Sequence, residues 1–354
     1  MAKRIGVLTG GGDCPGLNPA IRGVVLRAAQ AGMECVGLRE GWKGMMSGVH
    51  VPLTPHSVKD LVGKGGTVLG TSRTNPFKKE QGVEKVLETF KNLRLDALVA
   101  MGGEDTLGVA CRLYQERQFP VVGVPKTMDN DLSATDYTFG FDSAVTVAMD
   151  AAARLKDTGL SHGRVMVLEV MGRHAGWVAL FTGIAAAADY VCVPERPIDV
   201  DDMVAKVQAA HAAFGTSLVV ASEAIDLPGE SSASQDGLDD FGHHILKERG
   251  VAKCLEALLE KKTGIETRSA VIGHIQRGGA PTLFDRILGT RVGVRAAELV
   301  IEGRFGNMVA LKGDSAVPVS LAEATADLKI IPSHWLALLD TVTEKTGERA
   351  AAVV

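Results

Sequence analysis

The residues best suited to chemistry lie in one loop, Pro-Lys-Thr-Met-Asp-Asn-Asp at positions 125–131. The loop follows the apolar run Val121 to Val124, and an apolar run closed by proline is typical of a buried parallel strand that ends at a functional loop. Phosphoryl transfer to an alcohol needs a cation, a base for the hydroxyl proton and carboxylates for Mg²⁺. Lys126, Asp129 and Asp131 could supply these groups. The same residues would also form an ordinary polar turn, so both interpretations stay open at this point.

The composition limits the class of protein. With 354 residues, 46% hydrophobic and 23% charged, the chain has the composition of a globular enzyme and the length of two domains. A net charge of −4 and a pI near 6.2 provide no basic surface for nucleic acid or an anionic membrane. The apolar stretches are too short to span a membrane, and a strand expected from Lys3 leaves no room for a signal peptide. We therefore expect neither a nucleic-acid partner nor a membrane partner.

The cysteines indicate a reducing compartment. Their number is odd, they are scattered, and no C-x-x-C pair occurs, so neither a disulfide framework nor a zinc site is expected. We expect reduced thiols and a cytoplasmic location. The five are Cys14, Cys35, Cys111, Cys192 and Cys254.

A glycine-rich turn near the start is a second candidate site. Residues 4–9 are predicted as a strand, Gly10 to Gly16 as a turn and 18–30 as an amphipathic helix. Backbone N–H groups and the helix dipole at such a junction favour an anion. The turn matches neither the P-loop nor the spaced dinucleotide fingerprint. A phosphate-binding loop and a tight turn without a ligand both stay open.

Two further glycine-containing loops carry charged side chains. The predicted strand 97–101 ends at Gly-Gly-Glu-Asp-Thr, residues 102–106, and a helix is expected to follow. Capping would account for one carboxylate at a helix start, whereas two beside a phosphate loop indicate a metal site. The loop that begins at Lys64 ends in Arg73, which could bind an anion or lie in solvent.

The middle of the chain alternates between strand and helix patterns. A long helix is predicted over 142–158, with strands at 164–170, 190–193, 217–221 and 269–272 and helices from about 172 and 199. This order predicts an α/β fold with parallel sheet and helices on both faces. Residues 226–240 are the most loop-like segment. Towards the end we predict a helix over 286–302, a weak strand near 308–311 and a helix from Ser333.

Several strands of the second half end at polar residues. Ligands of open α/β sheets bind outside the carboxyl ends of the strands. We therefore predict a pocket for a phosphate ester, in which Arg173, His274 and Arg277 converge with Arg164 and Arg268 near one anion.

Five motifs in this order and spacing resemble the 6-phosphofructokinase family: G-G-D-C-P-G-x-N, G-G-E-D-T, P-K-T-M-D-N-D, V-M-G-R and G-H-I-Q-R-G-G. The similarity runs from Lys3 to about Glu302. It implies two similar Rossmann-like α/β/α domains with largely parallel sheets and the active site in the cleft. Residues 1–141 plus about 276–324 would bind the phosphoryl donor, and about 142–275 plus 325–354 would bind fructose 6-phosphate. The resemblance also implies Mg²⁺ and a homo-oligomer in which a neighbouring subunit completes the sugar-phosphate site.

The resemblance assigns roles to individual residues. Asp129 would accept the proton of the fructose 6-phosphate 1-hydroxyl, and Asp131 would support this base or the metal. Glu104 would lie near Mg²⁺. The predicted catalytic residues are Asp129, Lys126, Asp105 and Arg73, and the predicted donor contacts are Gly12, Arg73, Asp105 and Lys126. The predicted substrate contacts are Thr127, Asp129, Met171, Gly172, Arg173, Glu223, His274 and Arg277, with Arg164 and Arg268 supplied across a subunit boundary.

Asp105 and Lys126 bear on the phosphoryl donor. ATP-dependent members typically carry glycine at the position of Asp105, whereas a carboxylate about 4 Å from a nucleotide α-phosphate would cost roughly 4 kcal/mol at an effective dielectric near 20. Pyrophosphate has no third phosphate to meet this charge, and Lys126 would supply a cation for it. The pair resembles the pyrophosphate-dependent members, and Asp105 is the more specific of the two, because a lysine at position 126 also occurs in some ATP-using members. Alternatives are ATP as the donor and sedoheptulose 7-phosphate as the acceptor.

The sequence also bears on two alternative classes of protein. The dehydrogenase class lacks support, because no spaced G-x-G-x-x-G occurs with an acid about twenty residues later. A non-catalytic sugar-phosphate sensor would not need Asp129.

Two positions that carry effector-binding arginines in allosteric bacterial members are Leu26 and Pro55 here, although Arg22 is retained. We therefore expect weak or absent regulation by ADP or phosphoenolpyruvate.

Overall fold

A computed structural model describes residues 3–227 and 250–343 of the chain. These residues divide into two compact units, the first formed by residues 3–143 and Arg277–Leu328, the second by 144–227, 250–276 and 329–343. The sequence placed the divisions at 141/142, about 276 and 324/325. The predicted loop-like segment 226–240 lies outside the described residues from position 228 onward.

The described residues form eleven β-strands and eleven α-helices. The strands are β1 Arg4–Thr9, β2 Glu34–Leu38, β3 His50–Leu53, β4 Ala97–Gly102, β5 Val121–Pro125, β6 Val165–Val170, β7 Tyr190–Cys192, β8 Ser217–Ser222, β9 Thr267–Val271, β10 Asn307–Lys312 and β11 Ser315–Ser320. The helices are α1 Leu17–Gln30, α2 Trp42–Ser47, α3 Gly82–Asn92, α4 Glu104–Arg117, α5 Phe141–His162, α6 Trp177–Ala185, α7 Val200–Phe214, α8 Val251–Thr263, α9 Leu283–Ile301, α10 Leu321–Ala324 and α11 Ser333–Val342.

The first unit contains a seven-stranded sheet in the order β11-β10-β5-β4-β1-β2-β3. The five inner strands are parallel, and the edge strands β3 and β11 are antiparallel to their neighbours. Every residue of β4 and β5 is buried, which explains why these strands are continuous apolar runs without polar alternation. Leu98, Leu107 and Val121 belong to a core that packs α4 against the sheet.

The second unit contains a parallel sheet of four strands in the order β7-β8-β6-β9. Its core includes Val165, Val219 and Leu255, from two strands and α8. Asp199 caps α7 by accepting a hydrogen bond from the Asp202 backbone N–H at 2.9 Å. The mostly parallel α/β fold is confirmed, and within the described residues the two sheets contain seven and four strands.

Most predicted elements of the middle segment occur close to their expected positions. One start is wrong, because the helix expected from about residue 172 begins at Trp177. Gly172 has φ of +155°, outside the helical region, and the Gly176 N–H is held by Glu195 at 2.9 Å. Residues 171–176 therefore form a loop, which leaves the motif side chains outside a regular helix.

The described residues contain no helix that is long and apolar enough to cross a membrane. All five cysteines are free thiols, as expected, and four of them are buried. Burial raises the pKa of Cys14, Cys35 and Cys192 to about 12. These three thiols therefore stay protonated and unreactive at neutral pH.

Candidate active site

Three neighbouring strands of the first unit bring its predicted site loops together. Strands β5, β4 and β1 are adjacent, and β1 has β4 on one side and β2 on the other. Such a reversal of strand order opens a crevice at the carboxyl ends of the strands, where ligands of open α/β sheets bind. The residues that follow these strands, 10–16, 103–105 and 126–131, all lie at this edge.

Backbone hydrogen bonds fix the glycine-rich loop to its neighbours. The Gly10 N–H donates to the Met101 carbonyl at 2.9 Å, and the Gly11 N–H donates to the Ser72 carbonyl at 3.0 Å. The Thr71 hydroxyl donates to the Gly11 carbonyl at 2.6 Å. The predicted loop from Lys64 to Arg73 is thus joined to the candidate phosphate loop.

Gly102, at the end of β4, allows α4 to start close to the sheet. A Cβ atom at this position would lie 2.2 Å from the Thr106 Cβ. No side chain can occupy that space without moving the first turn of α4. Glu104 and Asp105 therefore begin their helix directly against the strand end, as the sequence predicted.

Two cations lie at the glycine-rich loop. Lys126 is only 4% exposed and donates to the Gly12 carbonyl at 2.6 Å, while Arg277 donates to the Asp13 carbonyl at 3.1 Å. A Cβ atom on Gly12 would lie 2.6 Å from an Arg277 guanidinium nitrogen. Because both cations donate to neutral carbonyl oxygens, these hydrogen bonds do not cancel their charge. The loop is therefore a suitable place for an anion.

Burial lowers the pKa of Lys126, and the neighbouring Arg277 acts in the same direction. Asp129 and Asp131 act in the opposite direction and favour the charged ammonium. An incoming anion would do the same, because an opposite charge nearby stabilises the protonated form.

Arg277 lies in a different unit from the residues with which the sequence grouped it. It contacts the loop of Gly12 and Asp13, whereas Met171, Gly172, Arg173, Glu223 and His274 belong to the second unit. The division falls between Gln276 and Arg277, within one motif.

The two aspartates after β5 are close and unequal. The Asp129 Oδ1 atom is buried without a hydrogen-bond partner, and the Asp129 N–H donates to the Thr127 hydroxyl at 3.0 Å. Asp131 is 8% exposed. Burial, followed by repulsion from Asp129 and Glu104, raises the pKa of Asp131 to about 7. Paired carboxylates of this kind hold a proton near neutral pH and leave one oxygen available as a base.

The turn between these aspartates is held by side chains outside the predicted set. Asn130 adopts a left-handed conformation with φ of +52°, and its Oδ1 accepts the Thr138 N–H at 3.1 Å. The Thr138 hydroxyl donates to the Thr127 carbonyl at 2.7 Å. Asparagine tolerates this conformation better than most residues, so its type is explained by the turn.

Asn18 is a site residue to which the sequence assigned no role. Its amide nitrogen donates to the carbonyls of Lys64 and Gly65 at 3.1 Å, and its Oδ1 accepts the Val68 N–H at 2.8 Å. Asn18 thus fixes the loop that carries Arg73. Its presence in the first motif was the only signal, because the bonded residues lie about 50 positions further along the chain.

In the second unit, the loops after β6, β8 and β9 meet at one edge of the sheet. The Met171 N–H donates to the Gln276 Oε1 at 2.8 Å, and the Gly172 N–H donates to the Glu223 Oε1 at 3.2 Å. Gln276 is fully buried. Like Asn18, Gln276 belongs to a sequence motif but was assigned no role from the sequence. It joins the loops after β6 and β9.

Arg164 and Arg268 do not join this group within one chain. Arg164 precedes the first residue of β6, and Arg268 is the second residue of β9. A strand rises about 3.3 Å per residue, so Arg164 lies roughly 20 Å along β6 from Met171.

Comparison with known proteins identifies the family. A family model described as Phosphofructokinase matches residues 4–300. The chain belongs to the phosphofructokinase family.

Its relatives in this family use two donors, according to their names. A pyrophosphate--fructose 6-phosphate 1-phosphotransferase of Dictyoglomus thermophilum is 51% identical over 91% of this chain and 93% of its own. An ATP-dependent 6-phosphofructokinase 3 of Streptomyces coelicolor is 48% identical over 93% of this chain and 96% of its own. The crystal structure of a pyrophosphate-dependent phosphofructokinase from Nitrosospira multiformis has a TM-score of 0.81, covers 100% of this chain and 98% of its own, and is 22% identical. That structure confirms the phosphofructokinase fold, whereas identity alone hardly separates the donors.

The carboxylates of this phosphofructokinase fit a Mg²⁺ ion that is held jointly with a substrate. Within 3–227 and 250–343, no three His, Cys, Asp or Glu side chains are grouped so as to hold a metal. Mg²⁺ at phosphoryl-transfer sites is typically bound by one or two carboxylates, waters and substrate phosphates. The buried Asp129 Oδ1 and the repulsion that Glu104 exerts on Asp131 agree with such a partial site.

The raised pKa of Asp131 predicts a pH effect on the stability of this phosphofructokinase. Between the ordinary value of 3.8 and about 7, the folded protein keeps a proton that the unfolded chain has released. The free energy of unfolding should therefore fall as the pH rises through this window, by up to about 1.4 kcal/mol per pH unit. The Asp131→Asn variant has no titrating carboxyl at this position, so its free energy of unfolding should lose this part of the pH dependence. Urea unfolding of both proteins at pH 5 and pH 7 measures it, and parallel profiles would contradict the prediction.

Proposed function

We propose that this phosphofructokinase transfers a phosphoryl group reversibly from pyrophosphate to the 1-hydroxyl of fructose 6-phosphate, with Mg²⁺. One observation carries the proposal: the buried Lys126 ammonium reaches the Gly12 carbonyl at 2.6 Å, within the loop that the Arg277 guanidinium also contacts. Two cations in so small a space suit a compact, highly charged donor. Pyrophosphate is such a donor.

Asp105 supports the same choice of donor. It lies in the first turn of α4, where the helix dipole stabilises a carboxylate, and this turn follows directly from β4 beside the glycine-rich loop. A donor that extends past its second phosphate towards this turn would place negative charge against negative charge. Pyrophosphate ends at its second phosphate and avoids this repulsion. Relatives named for pyrophosphate and for ATP are nearly equally identical to this chain, so the proposed donor rests on the residues of the site.

Asp129 is the base in the proposed reaction. Its carboxylate accepts the proton of the sugar 1-hydroxyl, and the oxygen attacks the nearer phosphorus of pyrophosphate. The bond from this phosphorus to the bridging oxygen breaks, and orthophosphate leaves with the electron pair. The products are fructose 1,6-bisphosphate and orthophosphate. In the reverse direction Asp129 returns the proton to the sugar oxygen.

The other residues of the first unit bind and orient the donor. Lys126, Arg73 and the backbone at Gly12 contact the transferring and leaving phosphates, and Thr127 holds the sugar hydroxyl or the phosphoryl group. Glu104, supported by Asp131, would hold Mg²⁺, which supplies positive charge to the donor phosphates. Burial raises the pKa of Asp131 to about 7, so this carboxyl is partly protonated at neutral pH, which reduces the repulsion around Asp129.

The second unit supplies the sugar contacts in this proposal. Met171, Gly172, Arg173, Glu223 and His274 bind fructose 6-phosphate. Arg164 and Arg268 lie at the opposite end of β6 and β9 from Met171, which supports their use by the site of a neighbouring copy. The active form is then a cytoplasmic homo-oligomer. Its response to ADP or phosphoenolpyruvate is weak, because Leu26 and Pro55 offer no charge to their phosphates.

The deciding experiment compares donors. Purified protein with Mg²⁺ and fructose 6-phosphate is assayed for fructose 1,6-bisphosphate, with pyrophosphate in one reaction and ATP in another. We expect turnover with pyrophosphate and little with ATP. Turnover with ATP alone would refute the role of Asp105. Replacing the acceptor with sedoheptulose 7-phosphate tests the alternative substrate, and a higher kcat/KM with it would change the proposed acceptor.

A further inference from the structure

Three charged side chains form a cluster at the start of two neighbouring strands in the second unit. The Oε1 atom of Glu266 accepts hydrogen bonds from both Arg164, at 2.9 Å, and Arg268. Val165 of β6 is paired with Thr267 of β9, so Arg164 and Glu266, the residues just before them, lie opposite each other. One carboxylate oxygen thus holds two guanidinium groups.

This cluster contributes little to the stability of the protein. The Glu266 side chain is 42% exposed, and exposed ion pairs add little to the free energy of unfolding. The hydrogen bond from Arg164 is the main cause that lowers the pKa of Glu266, so this carboxylate is charged at neutral pH. Without it, two cations would face each other on neighbouring strands and repel.

The arginines retain hydrogen-bonding capacity beyond Glu266. A guanidinium has five N–H donors, and each arginine gives only part of its donors to this carboxylate. The Arg164 Nε is buried with no hydrogen-bond partner, whereas Arg268 also donates to the Thr267 carbonyl at 2.8 Å. A phosphate group with three oxygens can bind two such forks at once.

We propose that Glu266 is a positioning residue, which holds Arg164 and Arg268 as a preformed pair for the 6-phosphate of a sugar bound to a neighbouring copy of the chain. The inference rests on the proposed function, which supplies the sugar phosphate and the oligomer. Fixing two long side chains before the ligand arrives reduces the entropy lost on binding. The phosphate uses donors that Glu266 leaves open and does not displace it.

The first test substitutes Glu266→Gln, which keeps the shape of the side chain and removes its charge. The KM for fructose 6-phosphate should rise roughly tenfold, as is typical when a supporting contact behind a ligand-binding group is lost. The kcat and the KM for pyrophosphate should stay within about twofold, because the arginines do not touch the reacting atoms in this proposal.

Glu260→Gln is the matched control. The Glu260 carboxylate lies 3.9 Å from Arg268, beyond hydrogen-bonding distance, so the same loss of charge should leave the KM for fructose 6-phosphate within about twofold. An equal rise in both variants would show a general charge effect and overturn the proposal. An unchanged or lower KM in Glu266→Gln would also overturn it, the latter by showing that Glu266 competes with the phosphate.

A hybrid oligomer tests whether Glu266 serves the neighbour. Subunits carrying Glu266→Gln are refolded or exchanged with subunits carrying Asp129→Asn, which have no base of their own. In a mixed pair, the site with an intact Asp129 receives an intact Glu266 from the other copy, so turnover with the wild-type KM should appear. A raised KM in the hybrid would show that Glu266 acts within its own chain. If the wild-type protein turns over with ATP and not with pyrophosphate, only the assignment of the donor is refuted. If it turns over with neither donor, the proposed function and the proposed role of Glu266 are both refuted.

Discussion

Asp129→Asn should lower kcat by roughly 10²- to 10⁴-fold, the usual contribution of a general base. The amide has the shape of the carboxylate but cannot accept the hydroxyl proton. The N–H of residue 129 still donates to the Thr127 hydroxyl, so the loop should keep its conformation. We therefore expect fructose 6-phosphate to bind with nearly unchanged affinity. Assays of fructose 1,6-bisphosphate formation and calorimetric titration with fructose 6-phosphate measure the two quantities separately.

Asp150→Asn is the control for this experiment. Asp150 is an exposed carboxylate on α5 that pairs with Arg154 at 2.7 Å, and its substitution should leave turnover unchanged. A loss of turnover with retained binding would exclude a sugar-phosphate sensor, which needs no base. Turnover of Asp129→Asn within about tenfold of the wild type would instead remove Asp129 from the proposed mechanism.

The elements that could be predicted from the sequence are those in which local pattern and tertiary packing agree. Strand β5 is an apolar run because both of its faces are buried, and α5 keeps one face apolar over several turns. Strands β2, β3 and β11 were missed, and β2 and β3 have only five and four residues. β3 and β11 lie at the edges of their sheet and contain Pro52 and Pro318, which weaken the strand pattern but are tolerated at an edge.

The sequence indicates candidate groups where they are consecutive, as in the loop from Lys126 to Asp131. It does not indicate groups that act through hydrogen bonds between distant segments. Asn18 and Gln276 join loops that are far apart in sequence, and nothing near them indicates their partners. Arg277 is three residues from His274, but the boundary between the two units passes between them. Spacing along the chain carries no information about such a boundary.

Asp105→Gly should change the donor preference. If Asp105 faces the donor, its removal should raise kcat/KM with ATP by up to roughly 10³-fold, because about 4 kcal/mol of repulsion at 4 Å and an effective dielectric near 20 corresponds to about three factors of ten. The kcat/KM with pyrophosphate should fall or stay level. The ratio of the two kcat/KM values is the quantity to measure, since a general loss of activity cancels in it.

Two further variants separate charge from space and from helix stability. Asp105→Asn keeps most of the volume, so it should give most of the gain with ATP if charge is the barrier and little if the side chain merely blocks the donor. Glu116 is exposed and lies in the last turn of the same helix. The Glu116→Gly variant should weaken α4 without changing the ratio of the kcat/KM values for the two donors. An unchanged ratio in Asp105→Gly would show that the carboxylate does not face the donor. Pyrophosphate use would then depend on Lys126 and the glycine-rich loop, whose 2.6 Å contact is independent of Asp105.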